Sequence, residues 1–94
     1  MRDIHLQLTK SAANDLDHIA EDQREKILKD VRVLSSSSRS PQTHIKKLKG
    51  FKPPLYRLRS GDYRVLYRVP GDRVIIMGVI NRRDLDRIIK RIKF

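Results

Sequence analysis

The sequence has no cysteine and no tryptophan, and the first absence excludes several classes of site. Without cysteine the chain cannot form a disulfide scaffold, use a thiolate nucleophile or hold zinc through sulfur. Its three histidines, His5, His18 and His44, lack the spacing of a metal site. We therefore expect no metal and no other cofactor.

Long apolar runs are also missing. The longest, residues 74–80, has seven residues and includes Gly78, whereas a membrane-spanning helix needs about 20. A chain of 94 residues has room for one small hydrophobic core. We predict a single domain over residues 1–94 that is soluble and cytoplasmic and has no membrane partner.

Acidic residues are scarce relative to basic ones, and the imbalance belongs to one half of the chain. Lys and Arg number 22 against 11 Asp and Glu, which leaves a net charge of +11. Residues 1–44 are neutral, so residues 45–94 carry the whole excess. There the basic residues alternate with apolar ones at strand and helix spacing, which is typical of folded structure. A folded basic face favours phosphate groups, whose binding weakens with salt.

The apolar pattern predicts an α+β fold that begins with one strand and two helices. Alternation over residues 2–8 predicts the strand. Thr9 is positioned to cap the first helix and Asp22 the second. The predicted buried faces are Ala12 or Ala13, Leu16, Ile19 and Ala20 in the first helix, and Ile27, Leu28, Val31 and Leu34 in the second. A serine-rich loop over residues 35–43 follows.

The second half predicts an antiparallel β-meander and a C-terminal helix. Strands are expected at residues 45–49, 55–59, 62–69 and 73–80, which glycine or proline separates. Asp84 is positioned to cap the helix. The helix has an apolar stripe formed by Leu85, Ile88, Ile89 and Ile92. This order of elements predicts helices on one face of an antiparallel sheet.

Arginines are expected on the open face of that sheet. If Ser60 and Gly61 form a two-residue turn, Arg57 lies opposite Arg64. Alternation then places Tyr56, Leu58, Tyr63, Val65 and Tyr67 on the buried face, and Arg57, Arg59, Asp62, Arg64 and Arg68 on the open face. An opposed like-charge pair costs up to about 1 kcal/mol. Either a bound anion offsets this cost, or the guanidinium groups extend into water with Asp62 pairing with Arg59, and spacing alone does not decide.

The chain shows no Ser-His-Asp arrangement and no glycine-rich phosphate loop. Arginines can still accelerate RNA cleavage, because they orient a 2′-hydroxyl towards its own phosphate and stabilise the developing negative charge. Lys46, Lys47 and Lys49 either extend the phosphate surface or protect an edge strand from aggregation. The three tyrosines are better explained by core packing than by base stacking.

Residues 45–50, 55–67 and 79–84 (IKKLKG, LYRLRSGDYRVLY and VINRRD) resemble the RelE/ParE superfamily of toxins from type II toxin–antitoxin systems. The resemblance covers nearly the whole chain. It implies a RelE-like fold and a cytoplasmic mRNA interferase, which is a metal-independent endoribonuclease that cuts mRNA in the ribosomal A site and inhibits translation. It also implies a cognate acidic antitoxin as partner.

The resemblance further implies a catalytic group of Arg64, Arg57 and Arg82. Arg64 corresponds to the main transition-state arginine, Arg57 to a basic residue at the scissile phosphate and Arg82 to the arginine after the last strand. The RNA-binding candidates are Lys46, Lys47, Lys49, Arg59, Arg68 and Arg83. The family commonly has histidine and tyrosine where this chain has Asn81 and Asp86, so we expect slower or altered cleavage.

More than one interpretation remains open for the C-terminal stripe and for the function. In relatives the antitoxin covers the basic face and can displace the last helix. The stripe of Leu85, Ile88, Ile89 and Ile92 is therefore either an antitoxin-binding surface or a permanent contact with the sheet. The ParE branch inhibits DNA gyrase with the same fold, and a non-catalytic RNA- or ribosome-binding module would explain the charge equally well. The three arginines favour the nuclease, whereas Asn81 and Asp86 leave the gyrase inhibitor open.

Overall fold

A computed structural model describes residues 5–35 and 44–93. The strands are β1 His5–Leu8, β2 Ile45–Leu48, β3 Leu55–Ser60, β4 Tyr63–Arg68 and β5 Arg73–Asn81. The helices are α1 Lys10–Asp17, α2 Glu21–Ser35 and α3 Leu85–Lys93, and a 3-10 turn spans Arg82–Asp84. The α+β class and the order of elements are confirmed. Residues 2–4 of the predicted first strand and 36–43 of the predicted loop lie outside the described residues.

The five strands form one sheet in the order β1-β5-β4-β3-β2. The meander from β2 to β5 is antiparallel, as predicted, but β1 pairs parallel to β5. The sheet is therefore mixed, and the prediction of a wholly antiparallel sheet is wrong. The chain between β1 and β5 contains α1, α2 and three strands, and a connection of this length can join two parallel neighbours. The first and last strands in sequence become neighbours.

The hydrophobic core lies between this sheet and the first two helices. Ala12, Leu16, Ile27 and Val31 are buried against strand residues such as Val65. The predicted helix faces are confirmed, with Ala12 as the buried alanine of the first pair, except that Ala20 is exposed and, like Ile19, lies beyond the end of α1. The prediction of core packing for the tyrosines is confirmed, because Tyr67 is buried and Tyr56 and Tyr63 pack against the core. Burial, and then the neighbouring Tyr56, raise the pKa of Tyr67 to about 12.

The helix starts follow the predicted capping pattern only in part. The Thr9 hydroxyl oxygen accepts a hydrogen bond from the Ala12 N–H at 3.1 Å, which confirms that cap. The prediction for Asp22 is wrong, because α2 already begins at Glu21. The prediction for Asp84 is also wrong. Asn81 caps the 3-10 turn that precedes α3 by accepting from the Arg83 N–H at 3.0 Å, so helical backbone starts before Asp84.

Side chains at the start of α1 and within it form hydrogen bonds with the backbone of β5 where β1 does not extend alongside it. The pairing of β1 with β5 ends at Leu8 and Ile76. Beyond it, the Thr9 hydroxyl donates to the Met77 carbonyl oxygen at 3.2 Å, and Asp15 Oδ2 accepts from the Val79 N–H at 3.0 Å. These bonds pair backbone groups that would otherwise lack a partner. Within the part of the chain that is described, no helix is long and apolar enough to cross a membrane.

Candidate functional site

The hairpin formed by β3 and β4 carries the site, and its register differs from the predicted one. Ser60 pairs with Tyr63, so Gly61 and Asp62 form the turn. Gly61 has a φ of 59°, and the first central position of a primed hairpin turn favours glycine for this reason. The prediction that Arg57 lies opposite Arg64 is therefore wrong. The strand register shifts by two residues, so every side chain of the two strands keeps its predicted face.

Arg64 lies directly opposite Arg59, whereas Arg57 lies opposite the buried Leu66. The like-charge pair predicted for this hairpin thus exists with a different partner. Burial, and then the charges of Arg57, Arg59 and Arg82, lower the pKa of the Arg64 guanidinium, while Asp62 acts in the opposite direction. The four residues Arg57, Arg59, Arg64 and Arg82 are called the arginine cluster below. The cluster unites the three arginines that the family resemblance assigns to catalysis.

Two backbone carbonyl groups of the hairpin hold the Arg64 side chain. Its Nη1 donates to the carbonyl oxygens of Gly61 and Tyr63, each at 3.0 Å. Both acceptors belong to the turn or lie next to it, so the hairpin itself orients the guanidinium. A guanidinium has five N–H donors, and these bonds use one of its three nitrogens. The arrangement therefore fixes the group while keeping capacity for a ligand.

Arg82 follows β5 and is held by the same turn. Its N–H donates to the Asp62 carbonyl oxygen at 2.8 Å, and its Nε lies 3.7 Å from Asp62 Oδ1. Asp62 therefore pairs with Arg82, and the suggested pairing with Arg59 is wrong. Both side chains are exposed, so the ion pair adds little stability. Its effect is to position Arg82 beside Arg64.

Asn81 and Asp62 are site residues whose positioning role the sequence analysis missed. The Asn81 side-chain oxygen accepts from both the N–H and the Nε–H of Arg83, at 3.0 and 3.3 Å. The asparagine thus orients the second arginine of the pair that follows β5. The available signal was an asparagine just before a predicted helix, which is a common capping arrangement.

Arg57 contributes a donor that is not satisfied. The residue is half-buried, and its Nε is buried without a hydrogen-bond partner among the described residues. Leaving such a donor unpaired costs about 1–3 kcal/mol. Lys46 pairs with Arg57 across β2 and β3, so it shares the face of the arginine cluster. Together these groups form a cationic surface.

The other RNA-binding candidates are dispersed. Lys47 pairs with Tyr56 and lies on the opposite face of the sheet from Lys46. Lys49 follows the end of β2, where it lines an open groove with Phe51 and Lys52. Arg68 lies four residues beyond Arg64 on the same face of β4, a distance of about 13 Å. Arg83 is exposed beside Arg82.

Helix α3 lies against the face that carries the arginine cluster. Its Ile88 lines a groove of about 310 Å³ with Leu55, Leu66 and Ile80, and the strand registers place these residues on the arginine face. The prediction that all helices pack on one face is therefore wrong. The reason is that Leu55 and Leu66 make this end of the open face apolar. Leu85 and Ile89 are also half-buried, whereas the Ile92 side chain lies outside the description.

Within residues 5–35 and 44–93, no three His, Cys, Asp or Glu side chains come together in a way that could hold a metal ion. Asp84 is instead paired with Arg87 at 3.1 Å, and Asp86 is exposed. The groups gathered at the site are thus arginines, a lysine and the Asp62 carboxylate. Their chemistry is the binding of an anion and the stabilisation of negative charge.

Comparison with known proteins gives a family match and several structural likenesses. The chain matches the family model of the ParE toxin of type II toxin–antitoxin systems, parDE, over residues 6–86. No curated protein sequence matches the chain significantly. The RelB–RelE antitoxin–toxin complex from Methanococcus jannaschii contains a chain that is 29% identical, with 85% of this chain and 94% of that chain covered and a TM-score of 0.71.

Two further solved structures are similar over most of their length. For the intact RelBE toxin–antitoxin complex from E. coli, the identity is 28%, the coverage is 83% of this chain and 95% of that chain, and the TM-score is 0.63. For the archaeal RelE–RelB complex from Pyrococcus horikoshii OT3, the identity is 24%, the coverage is 86% and 97%, and the TM-score is 0.72. The similarity therefore includes both the sheet and the helices that surround it.

Proposed function

Because the chain belongs to the ParE toxin family of type II toxin–antitoxin systems, within the RelE/ParE superfamily, we propose that it is a ribosome-dependent mRNA endoribonuclease. It would cut translated mRNA in the ribosomal A site without a metal ion and so inhibit translation. One observation carries this proposal. The charges of three arginines act on Arg64, and one of the three, Arg57, has a buried Nε without a hydrogen-bond partner in the part of the chain that is described.

The proposed reaction is attack of an RNA 2′-hydroxyl on its own 3′-phosphate. The bond from the 2′-oxygen to phosphorus forms, the bond from phosphorus to the 5′-oxygen breaks, and a 2′,3′-cyclic phosphate and a 5′-hydroxyl result. The proton of the 2′-hydroxyl is lost, and the leaving 5′-oxygen gains one. The protein has to align these atoms and stabilise the charge on the phosphate oxygens.

The arginine cluster fits those two tasks. Arg64 is held by two carbonyl groups, so its guanidinium needs little reorganisation to stabilise the transition state. Arg57 offers its guanidinium to the scissile phosphate, and Arg82 is positioned by Asp62. Burial, and then the neighbouring positive charges, lower the pKa of Arg64, and a phosphate would relieve the repulsion between these charges. Substrate binding and charge neutralisation are therefore the same event.

The mRNA contacts extend from the cluster along the open face. Lys46 and Arg59 lie on this face and would bind neighbouring phosphates. Lys47, Lys49 and Arg83 would contact RNA or the ribosome farther away, since each belongs to the basic half of the chain. The partner that restrains the toxin is a cognate acidic antitoxin. The half-buried side chains of Leu85, Ile88 and Ile89 in α3 are its proposed binding surface.

The test is induced expression of the wild type and Arg64→Ala in a bacterial host, with growth and mRNA 5′ ends followed together. We expect growth arrest and new cuts within translated codons for the wild type, and neither for Arg64→Ala. Arg73→Ala is the matched control, because Arg73 is an exposed arginine at the opposite end of β5. Cuts that persist in Arg64→Ala would refute the role of the cluster.

The family match itself favours a second candidate, since the matching model is that of the ParE toxin. In the ParE branch, the expected target is DNA gyrase. Growth arrest without new mRNA ends, together with inhibition of DNA supercoiling by purified gyrase, would identify this activity. If neither effect occurs, the result favours a passive RNA-binding module or a toxin weakened at Asp86.

A further inference from the structure

A hydrogen bond from α2 anchors the base of the Gly61-Asp62 turn. The Ser60 hydroxyl donates to Asp30 Oδ2 at 2.7 Å. Ser60 is only 2% exposed, and a buried hydroxyl needs a hydrogen-bond partner, so this bond fixes the serine side chain. The same carboxylate oxygen accepts from Lys26 Nζ at 2.9 Å, which restrains Asp30 in turn. The last residue of β3 is therefore held by α2.

The residues that follow Ser60 supply the acceptors for two arginines of the cluster. Ser60 pairs with Tyr63 at the base of the Gly61-Asp62 turn. The first turn residue and Tyr63 each provide a carbonyl oxygen to Arg64, and the second turn residue accepts from the Arg82 N–H. Because peptide units are planar, a rotation of the backbone at Ser60 would redirect the carbonyl groups that hold both arginines.

The turn has little other support from α2. Gly61 and Asp62 are exposed, and a depression of about 160 Å³ is lined both by these residues and by Gln23 and Ile27 of α2. Exposed segments with few packed contacts open at a low free energy. The conformation of the turn therefore depends strongly on the hydrogen bond at its base.

Asp30 and Ser60 lie on the opposite side of the sheet from the arginine cluster. Ser60 shares its face of β3 with Leu58, which packs in the core against α2. Arg59, between them in sequence, points to the other face. Neither Asp30 nor Ser60 can contact a phosphate at the arginine cluster, so an effect of either residue on cleavage has to act through the turn.

We propose that Asp30 and Ser60 are positioning residues of the arginine cluster, and that their hydrogen bond holds the turn in the conformation that orients Arg64 and Arg82 for a phosphate. The inference rests on the proposed function for its effect on mRNA cleavage. The orientation of Arg64 itself is measurable without RNA.

The direct test is NMR of the full chain labelled with ¹⁵N and ¹³C, which measures the rate of rotation about the Arg64 Cζ–Nη1 bond. The hydrogen bonds of Nη1 should make this rotation slow in the wild type. Ser60→Ala should accelerate it about tenfold without a change in net charge. Asp30→Asn should keep it slow, because the amide oxygen can still accept from the Ser60 hydroxyl. Rotation at the wild-type rate in Ser60→Ala would overturn the proposal.

The second readout is single-turnover cleavage of mRNA on ribosomes at increasing concentrations of the protein. Ser60→Ala should lower the maximal rate about tenfold. The half-saturating concentration should change less than about twofold, because the charge of the binding face is unchanged. Asp30→Asn should cleave at nearly the wild-type rate.

Thr9→Val is the matched control for a loss of stability. It also removes a hydroxyl that bonds to the sheet, at the Met77 carbonyl oxygen and not at the turn, and it removes the cap of α1. It should lower the stability to urea without slowing cleavage. Circular dichroism verifies that each variant is folded under the assay conditions. An equal loss of rate in Thr9→Val and Ser60→Ala would show a general effect of stability and contradict the positioning role.

The two readouts distinguish this inference from the proposed function. If the wild type cuts no mRNA, the nuclease proposal fails, and the rotation of Arg64 in Ser60→Ala still decides the positioning role. If the wild type cuts mRNA and Ser60→Ala changes neither rotation nor cleavage, only the positioning role is refuted.

Discussion

At the scale of single residues, the main feature is the placement of Arg59 directly opposite Arg64. Opposed like charges destabilise a hairpin, so a sequence selected only for stability would avoid this pair. Arg64 nevertheless donates two hydrogen bonds, to the carbonyl oxygens of Gly61 and Tyr63, which keep it in place. The opposed pair therefore favours the binding of an anion, which would offset the repulsion between the two guanidinium groups.

The first prediction concerns that pair. Arg59→Gln should raise the free energy of unfolding by a few tenths up to about 1 kcal/mol, because it removes the repulsion on Arg64. The same change should weaken RNA binding and reduce the salt slope by about 1. Urea denaturation and RNA titration at several salt concentrations measure the two effects. Arg73→Gln, at a position opposite His5, should leave stability within about 0.5 kcal/mol, and a loss of stability in Arg59→Gln would contradict the argument.

The second prediction concerns Asp30, which joins α2 to the end of β3. Its Oδ2 accepts from the buried Ser60 hydroxyl at 2.7 Å and from Lys26 Nζ at 2.9 Å. Burial raises the pKa of Asp30, but the hydrogen bonds from Ser60 and Lys26 and the Lys26 charge outweigh it, so the pKa is lowered. Since the folded pKa lies below the unfolded one, the carboxylate stabilises the protein above the unfolded pKa, and this contribution is lost as the pH falls through the folded value.

Asp30→Asn should therefore cost about 1 kcal/mol at neutral pH and much less in acid. The measurement is urea denaturation of both proteins at neutral pH and at successively lower pH, because the contribution of the carboxylate is lost as the pH falls through its lowered folded pKa. Lys26→Gln separates the contribution of the lysine, which is exposed, and should cost less. A stability difference that does not change with pH would show that the ionised carboxylate is not responsible.

The third prediction concerns Asp86, an exposed residue in the first turn of α3. The superfamily commonly has a tyrosine at this position, thought to act as a base or a stacking group, and a carboxylate cannot stack on a base. Asp86→Tyr should raise mRNA cleavage several-fold, as measured by the frequency of new 5′ ends. Asp86→Phe, which stacks without a hydroxyl, separates stacking from proton transfer. Unchanged cleavage in Asp86→Tyr would remove Asp86 as the cause of slow cleavage.

At the scale of elements, α3 differs from the other two helices. Its Ile88 lines a groove at the apolar end of the open face, and Leu85, Ile88 and Ile89 are only half-buried, whereas α1 and α2 contribute fully buried residues to the core. A helix with fewer buried apolar contacts opens at a lower free energy than the core. This arrangement agrees with both interpretations of the stripe, since a packed helix can also be displaced.

The fourth prediction follows from this difference. Native-state hydrogen exchange should show the α3 amides opening well below the global free energy of unfolding, while the β4 amides exchange only with global unfolding. Ile88→Ala should cost about 1 kcal/mol, whereas Leu66→Ala, at a fully buried position, should cost about 2–5 kcal/mol. Exchange of α3 and β4 at the same free energy would show that α3 belongs to the cooperative core.

The same scale explains what the sequence could predict. Apolar alternation predicted every strand of the meander to within one residue, because each strand has one face on the core. Alternation could not distinguish a turn at Ser60-Gly61 from one at Gly61-Asp62. The two resulting strand registers differ by two residues, so both leave every strand side chain on the same face. The parallel position of β1 and the side of the sheet that α3 covers depend on contacts distant in sequence, which local periodicity does not contain.

The candidate site was predictable in part for the same reason. The shared face of Arg57 and Arg64 follows from alternation within the hairpin. The approach of Arg82 depends on a hydrogen bond between its N–H and the Asp62 carbonyl, which joins the end of β5 to the β3–β4 turn. Only the family resemblance indicated that arginine beforehand. Among the described residues, the Nε atoms of Arg57 and Arg68 are buried without a partner, and the sequence could not predict this because it depends on the three-dimensional burial pattern.

At the scale of the whole molecule, the net charge of +11 produces the fifth prediction. Self-repulsion destabilises the compact state, so added sodium chloride should raise the Tm of the free protein by a few degrees as screening increases. The same salt should weaken RNA binding. Calorimetry at several salt concentrations measures the first effect, and Arg59→Gln should show a smaller gain. A Tm that falls with salt would indicate that ion pairs outweigh repulsion.

The pairing of β1 with β5 also governs when the protein can fold during its own synthesis. Leu8 pairs with Ile76, so β1 cannot join the sheet until β5 has been synthesised. By then most of the 94 residues have been made. At roughly 5–20 residues per second, this delay lasts several seconds. Arg82 joins the hairpin turn later still. A truncated product of interrupted synthesis therefore carries the positive charge of β3 and β4 but never a complete arginine cluster.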